Sequence, residues 1–271
     1  MIRMIATDVD GTFCNSQSTY NRERFSAQIE KLKELGINFV IASGNQQPAM
    51  YRKFAPYSED MHFVCLNGCT IGKANTILHS SSMDPFNARK TCEVLMRYPD
   101  LIAMATCSDH SYILQKYASA IPVLENYFYD IRPCKDLRGI QDDFVHFSLI
   151  DPACHIDACY DQLSSLLPEN VVPVISGVEC IDIMDHTRNK GAGLKELMRM
   201  LHIREDECAV FGDQMNDVSM FEAVRYSYAM ENAVAPLKEK AHAVCKSNDE
   251  EGVLEVIDQI IHAYTTNTEW K

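Results

Sequence analysis

Three short, mostly apolar runs, residues 2–6, 37–42 and 208–211, each break off into a polar turn, and each is followed by a stretch of helical periodicity. A run that is apolar at consecutive positions, rather than alternate ones, fits a strand buried on both faces. Sheets covered on both faces are parallel, and their strands are joined by right-handed helical crossovers. The first helical stretch covers about 21–35, with Phe25, Ile29 and Leu32 on one face and Gly36 as its stop. The second covers 46–54, with Pro48 near its start, where proline is tolerated. In open sheets of this kind ligands bind beyond the carboxyl ends of the strands. The chemistry is therefore expected in the turns themselves: Asp8-Val9-Asp10-Gly11-Thr12, Ser43-Gly44-Asn45, and Gly212-Asp213-Gln214-Met215-Asn216-Asp217.

The same alternation adds a strand at 62–66, ending at Asn67-Gly68, and resumes after Lys190-Gly191 with a helix striped by Leu194, Leu197, Met198 and Leu201. Further helices are expected at 218–224 and 251–264, with a short strand at 226–229 between them and a polar tail at 265–271. Residues 83–186 have a different texture. Helix patterns near 85–97 and 154–167 accompany strand patterns near 101–106, 112–114, 144–150, 171–175 and 179–184. Consecutive strands suggest antiparallel pairing. The expected organisation is a core of residues 1–82 and 187–271 interrupted by an inserted α/β domain, 83–186.

Asp8 and Asp10 stand two residues apart at a strand tip, a spacing that points both side chains the same way in extended chain. Gly11 allows the sharp bend that follows. Two close carboxylates are costly to keep ionised without a cation between them. A divalent metal answers that cost, and hard Mg²⁺ suits oxygen ligands. The net charge of −13 argues against nucleic-acid or anionic-membrane partners, which call for basic surface. It leaves room for one small phosphorylated metabolite in a locally positive pocket. Eleven cysteines without a Cys-x-x-Cys pair fit buried thiols in a reduced, cytoplasmic chain. No apolar run approaches the roughly 18 residues of a membrane span. A strand that starts within the first few residues leaves no room for a signal peptide.

With Asp8-Val9-Asp10-Gly11-Thr12, Ser43-Gly44, Lys190-Gly191, the 212–217 motif and Tyr228-Ala229-Met230-Glu231-Asn232-Ala233 in this order, the chain resembles the haloacid dehalogenase superfamily of aspartate-nucleophile phosphatases, in its Cof-type sugar-phosphatase branch. The resemblance implies a Rossmann-like parallel-sheet core with an inserted α/β cap domain. It implies that Asp8 is the nucleophile and Asp10 the general acid and base. Mg²⁺ would be held by Asp8, the Asp10 carbonyl and Asp213. Ser43, Gly44, Lys190 and Asn216 would bind the phosphoryl oxygens, and Asp217 would orient Lys190 or a metal-bound water. Such a division of labour suits phosphoryl transfer, in which positioning and charge neutralisation carry most of the catalysis. Many relatives carry arginine where this chain has Asn45, and asparagine offers a neutral donor and acceptor in place of a bidentate cation. Glu179 and Cys180, in the turn at 176–180, are candidates to face substrate. Cys14 is expected to be packed, because the sequence shows no basic partner for it. The leading expectation is an Mg²⁺-dependent phosphatase of sugar phosphates. A phosphomutase sharing the same residues is the alternative, with a non-catalytic ligand-binding protein as a rival of another class.

Overall fold

The computed structural model describes residues 1–153, 156–176, 179–268 and 270. The strands in chain order are β1 (Met4–Thr7), β2 (Asn38–Ala42), β3 (His62–Cys65), β4 (Thr70–Lys73), β5 (Thr76–Ser80), β6 (Ile102–Thr106), β7 (Ser111–Leu114), β8 (Ile131–Cys134), β9 (His146–Ile150), β10 (Val171–Ile175), β11 (Cys180–Asp185), β12 (Cys208–Gly212), β13 (Tyr226–Met230) and β14 (Ala243–Cys245). The helices are α1 (Arg22–Glu34), α2 (Gln47–Lys53), α3 (Pro85–Leu95), α4 (Ile121–Leu124), α5 (Asp157–Leu166), α6 (Lys190–Leu201), α7 (Val218–Phe221), α8 (Ala235–Lys240) and α9 (Gly252–Thr265).

The first sheet runs β14-β13-β12-β1-β2-β3-β4-β5. Its pairings from β14 to β3 are parallel, and the β4–β5 hairpin is added antiparallel at the edge. Strand β1 lies between β2 and β12, and all four of its residues are buried. The order reverses at β1, so the tips of β1, β2 and β12 share one crevice, where a ligand is expected to bind. The helical stretches fall where periodicity places them. Helix α1 is capped by the Asn21 side chain, which accepts from the Arg24 N–H, and buries Phe25, Ile29 and Leu32. Helix α7 is shorter than the 218–224 pattern, ending at Phe221 because the chain turns into β13.

The β4–β5 hairpin has no counterpart in the sequence reading. Strand β5 is an edge strand with exposed and half-buried residues in alternation, so it lacks an apolar run. Strand β4 carries Gly72, where an added Cβ would sit 2.0 Å from Gln47 Oε1. The Gln47 amide fills that space, and its Nε2 donates to the Ala74 and Thr76 carbonyls.

The second sheet, β10-β11-β9-β6-β7-β8, is antiparallel except for the β7–β8 pair. Ala103, Ala105, Phe147, Leu149, Ile181 and Ile183 belong to one apolar cluster on it, with Leu163 of α5 and Cys92 and Leu95 of α3. Cys154, where the helix pattern at 154–167 begins, lies outside the described residues, as do positions 177 and 178 of the turn at 176–180.

Buried polar side chains help to join the sheets. Gln46, fully buried, donates from Nε2 to the Cys107 and His110 carbonyls at 2.9 and 3.1 Å. Its Oε1 accepts from Ser111 Oγ at 3.1 Å and the Tyr129 N–H at 2.6 Å. Asn67 Nδ2 donates to the buried Asp182 carboxylate of β11 at 2.7 Å. Burial pushes the Asp182 carboxyl up, but His146 beside it and the Ser148 hydroxyl outweigh that and hold it below the usual carboxylate range.

Candidate active site

Strand β1 ends at Thr7, one residue short of Asp8. Beyond it the chain turns: the Thr12 N–H bonds the Val9 carbonyl, the Phe13 N–H bonds the Asp8 carbonyl, and Gly11 sits at φ +81°. An added Cβ at Gly11 would lie 2.5 Å from Asp213 Oδ2, so this turn also brings the β1 and β12 tips into contact. Asn232, in the late motif, donates to the Gly11 carbonyl at 2.8 Å. Behind the loop, Phe13 anchors it in an aromatic group, with ring centroids 4.9 Å from Phe25, 5.5 Å from Phe54 and 5.8 Å from Phe39.

The bend separates the two aspartates that strand alternation would have paired. Asp8 is buried, whereas Asp10 is exposed. The carboxylate oxygens that gather within 4.8 Å of one another are those of Asp8, Asp213 and Asp217, and the Asp10 carboxylate is not among them. The reason is local: the period of two holds only in extended chain, and the turn cancels it. Asp10 instead faces α2. Its Oδ1 is 3.1 Å from Lys53 Nζ, and its Oδ2 accepts from Asn45 Nδ2 at 3.4 Å.

Lys190 opens α6, whose Asn189 cap accepts from the Ala192 N–H. Its ammonium, 1% exposed, donates to Asp8 Oδ1 and Asp217 Oδ1, each at 2.7 Å. Asp217 Oδ2 accepts the backbone N–H groups of Asp213 and Gln214 at 3.0 and 3.1 Å. Asp217 is therefore a brace that holds Lys190 and the 212–217 turn. Asp213 Oδ1 accepts from Thr12 Oγ1 at 2.7 Å.

Burial, together with the Asp217 and Asp213 charges, raises the Asp8 carboxyl well above its ordinary range, despite the lowering effect of Lys190. Burial and Asp217 push Asp213 up to about 6, against the lowering hydrogen bond from Thr12. Burial disfavours the Lys190 ammonium, but Asp217 and Asp8 reverse that and raise its pKa. Three buried carboxylates thus meet one buried ammonium, an excess of negative charge that a divalent cation would relieve. The donor set is all oxygen, which fits Mg²⁺.

Ser43 is buried at the β2 tip, and its Oγ accepts the Asn45 N–H at 3.1 Å. Gly44 faces Asn67 and Asp182: a Cβ there would lie 3.3 Å from Asn67 Nδ2 and from Asp182 Oδ2. Asn216 Nδ2 reaches Asn67 Oδ1 at 3.4 Å. The structure therefore brings Asp8, Lys190, Asp213 and Asp217 into direct contact with one another or through Thr12 and backbone amides, and places Asn216 beside Asn67. Glu179 is exposed, and its carbonyl accepts the Asp151 N–H at 2.8 Å. Cys180 Sγ lies 3.6 Å from Asp182 Oδ1.

Sequence reasoning misses Lys53, Gln46 and Asp182 as site neighbours, and quotes Asn232 within the late motif without giving it a role. Lys53 also gives Cys14 the basic neighbour that the sequence hides. Burial nevertheless wins and pushes the Cys14 thiol up to about 11, so it is a packed thiol.

Comparison with known proteins identifies the family. Residues 5–257 match the haloacid dehalogenase-like hydrolase family. The chain is 33% identical over 261 residues to the 5-amino-6-(5-phospho-D-ribitylamino)uracil phosphatase YbjI of Escherichia coli (strain K12), covering 96% of each chain. It is 26% identical to the 5-amino-6-(5-phospho-D-ribitylamino)uracil phosphatase YwtE of Bacillus subtilis (strain 168), covering 96% of this chain and 98% of that one. The crystal structure of SMU.1108c from Streptococcus mutans UA159 superposes with a TM-score of 0.87 at 28% identity, covering 97% of this chain and all of that one. The chain belongs to the haloacid dehalogenase-like hydrolases, in their Cof-type branch. It is a phosphoric monoester hydrolase.

Proposed function

We propose that the chain hydrolyses small phosphomonoesters, phosphorylated sugars and polyols foremost, with Asp8 as nucleophile, Asp10 as general acid and base, and residues 83–186 as a cap over the site. The observation that carries the reading is the buried Lys190 bridge between Asp8 and Asp217, with Asp213 alongside. That arrangement fixes a carboxylate at a strand tip beside one ammonium and two further carboxylates, a net-negative set that would accept a phosphate once a divalent cation offsets it.

An Asp8 carboxylate oxygen forms a bond to phosphorus as the bond from phosphorus to the ester oxygen breaks. Asp10 gives its proton to the departing oxygen. In the second half Asp10 takes a proton from water, whose oxygen attacks phosphorus and releases Asp8 and inorganic phosphate. Lys190 keeps Asp8 oriented and screens its charge. Ser43 Oγ, the Gly44 N–H and Asn216 Nδ2 bind phosphoryl oxygens. Asp8, Asp213 and the Asp10 carbonyl would hold Mg²⁺, which when bound supplies the positive charge that lets a carboxylate approach a phosphate dianion.

Support for the substrate class comes from the two curated relatives. Both are named for a phosphate carried on a ribityl chain, a polyol. No helix among the described residues is long and apolar enough to cross a membrane. Cys14, Cys65, Cys69 and Cys208 are free thiols, which fits a reducing compartment such as the cytoplasm.

The test is a panel of sugar and polyol phosphates with Mg²⁺, following both free phosphate and isomeric sugar phosphates, on wild type and Asp8→Asn. Release of phosphate by wild type and a loss of several powers of ten in Asp8→Asn is the expected result. Near-wild-type turnover by folded Asp8→Asn would overturn the mechanism. Isomerised sugar phosphate in place of free phosphate would favour a mutase.

A further inference from the structure

Asp10 presents an unusual setting for a group that must aim a proton at one oxygen atom. Its side chain is 48% exposed, so packing alone does not hold it. Both of its carboxyl oxygens are nevertheless engaged: Oδ1 by Lys53 Nζ at 3.1 Å and Oδ2 by Asn45 Nδ2 at 3.4 Å. The two clamps come from opposite ends of one short segment. Asn45 lies in the turn after β2, and Lys53 is the last residue of α2, eight positions on. The Lys53 side chain is only 22% exposed, and its surroundings include the buried Cys14 thiol and Tyr127. It is therefore held at the edge of the site rather than waving in solvent.

The charge inventory makes Lys53 distinctive. Lys190 is committed to Asp8 and Asp217, and Asn45 is neutral. Among the described residues, Lys53 is the cation that contacts Asp10. We propose that Lys53 is a positioning residue for the acid–base step, holding the Asp10 carboxyl in the rotamer that meets the ester oxygen of the substrate, with Asn45 fixing the other carboxyl oxygen. The inference rests on the reading of Asp10 as general acid given above.

The role has a chemical signature. When the phosphorus–oxygen bond of an alkyl phosphate breaks, the departing oxygen would be a strongly basic alkoxide, and it must take the Asp10 proton as the bond breaks. Asp10 is left as a carboxylate, with the Lys53 ammonium beside it. A p-nitrophenyl leaving group is a stable anion and departs without that proton. Misplacing Asp10 therefore slows alkyl esters far more than p-nitrophenyl phosphate. The parameter kcat/KM isolates this step, because it reports only events up to the first irreversible one, departure of the leaving group.

The experiment measures kcat/KM for a polyol phosphate such as sorbitol 6-phosphate and for p-nitrophenyl phosphate, on wild type, Lys53→Met, Lys53→Gln and Lys53→Arg, with circular dichroism confirming the fold. The expected result is that the ratio of the polyol to the aryl value falls about tenfold or more in Lys53→Met, a fraction of the roughly 10²–10⁴-fold that a general acid contributes. Lys53→Arg should restore most of the ratio, and Lys53→Gln should lie between. A structural role would lower both esters by one common factor, leaving the ratio unchanged, and that outcome overturns the inference. So does an unchanged kcat/KM for both esters in Lys53→Met. If Lys53→Met is poorly folded, the ratio in Lys53→Gln decides the matter by the same criterion. A wild-type protein that hydrolyses neither ester overturns the phosphatase reading itself, and this inference with it.

Discussion

Replacing Lys190 by methionine separates the electrostatic role of the lysine from its packing, because the methionine stem occupies much of the same volume. The ammonium is 1% exposed and contacts two carboxylates at 2.7 Å, Asp217 with a fully buried side chain and Asp8 with one nearly so. At an effective dielectric constant of about 20, a charge pair about 4 Å apart is worth about 4 kcal/mol, so two pairs supply about 8 kcal/mol. Stripping water from the ammonium costs several kcal/mol of that. The variant recovers this cost but leaves two buried carboxylates without their cation, which must stay ionised against each other or take up a proton, for a net loss of about 3–5 kcal/mol. In a chain of this size that corresponds to a fall in Tm of about 10 °C. Thermal unfolding by circular dichroism should be read in chelator, so that bound metal does not compensate. Adding Asp217→Asn to Lys190→Met removes one stranded anion and should recover part of the loss, because the carboxamide oxygen that replaces the carboxylate can still accept the backbone amides of Asp213 and Gln214. A fall of less than about 3 °C in the single variant would refute the reasoning. So would a double variant no more stable than the single one.

Four further outcomes are expected. Gly11→Ala, forced to φ +81° with its methyl 2.5 Å from Asp213 Oδ2, should weaken Mg²⁺ binding in calorimetry by roughly tenfold, the equivalent of about 1.4 kcal/mol. Saturating Mg²⁺ should raise the Tm of wild type by about 5 °C, as binding at about a hundred times Kd stabilises by about 2.7 kcal/mol, and Asp213→Asn should lose most of that shift. Phe13→Ala, which empties the aromatic anchor behind the Asp8 loop, should cost about 3–5 kcal/mol in denaturant unfolding and lower kcat as well. His62 is buried in β3 and its pKa is lowered to about 4, chiefly by burial and further by Lys73. Its stabilising contribution is complete above the unfolded value near 6.5 and fades as pH falls toward 4, so it amounts to about 3 kcal/mol that acid removes. His62→Leu should flatten the decline in Tm between pH 6.5 and 4; a decline as steep as that of wild type would exclude His62 as the cause.

What can be read from the sequence divides along physical lines. Strands β1, β2, β3 and β12 are legible because burial on both faces makes their side chains apolar at nearly every position. Asp8, Ser43, Lys190 and the 212–217 turn are legible because they stand at the ends of those elements, where residue type has a positional meaning. Asn21 and Gly36 mark the limits of α1 by capping chemistry. The β4–β5 hairpin is not legible, since an exposed edge strand carries no apolar run and Gly72 is there for the sake of Gln47. Lys53, Gln46 and Asp182 are hidden for a different reason. Each is an ordinary polar residue in its own segment, and its meaning comes from a partner 43 to 115 positions away that only the folded chain brings near. The divergence of Asp8 from Asp10 is likewise invisible, because alternation says nothing about where a strand stops.

Gln46 carries a kinetic consequence. One buried amide holds four groups of the second sheet and its loops, and opening that seam by a fraction of an ångström satisfies none of them with water. Each buried donor or acceptor left unmatched costs about 1–3 kcal/mol, so a half-open seam is the least stable arrangement available. Separation on this side is then a discrete event with a lifetime, rather than a continuous breathing. Asn45, which holds Asp10, is the adjacent residue in the chain. On the proposed reading of Asp10 as the proton donor, the interval during which the seam stays shut is tied to the interval during which that donor is correctly aimed, and the dwell time of the shut seam becomes a clock for how long a bound ester has to react.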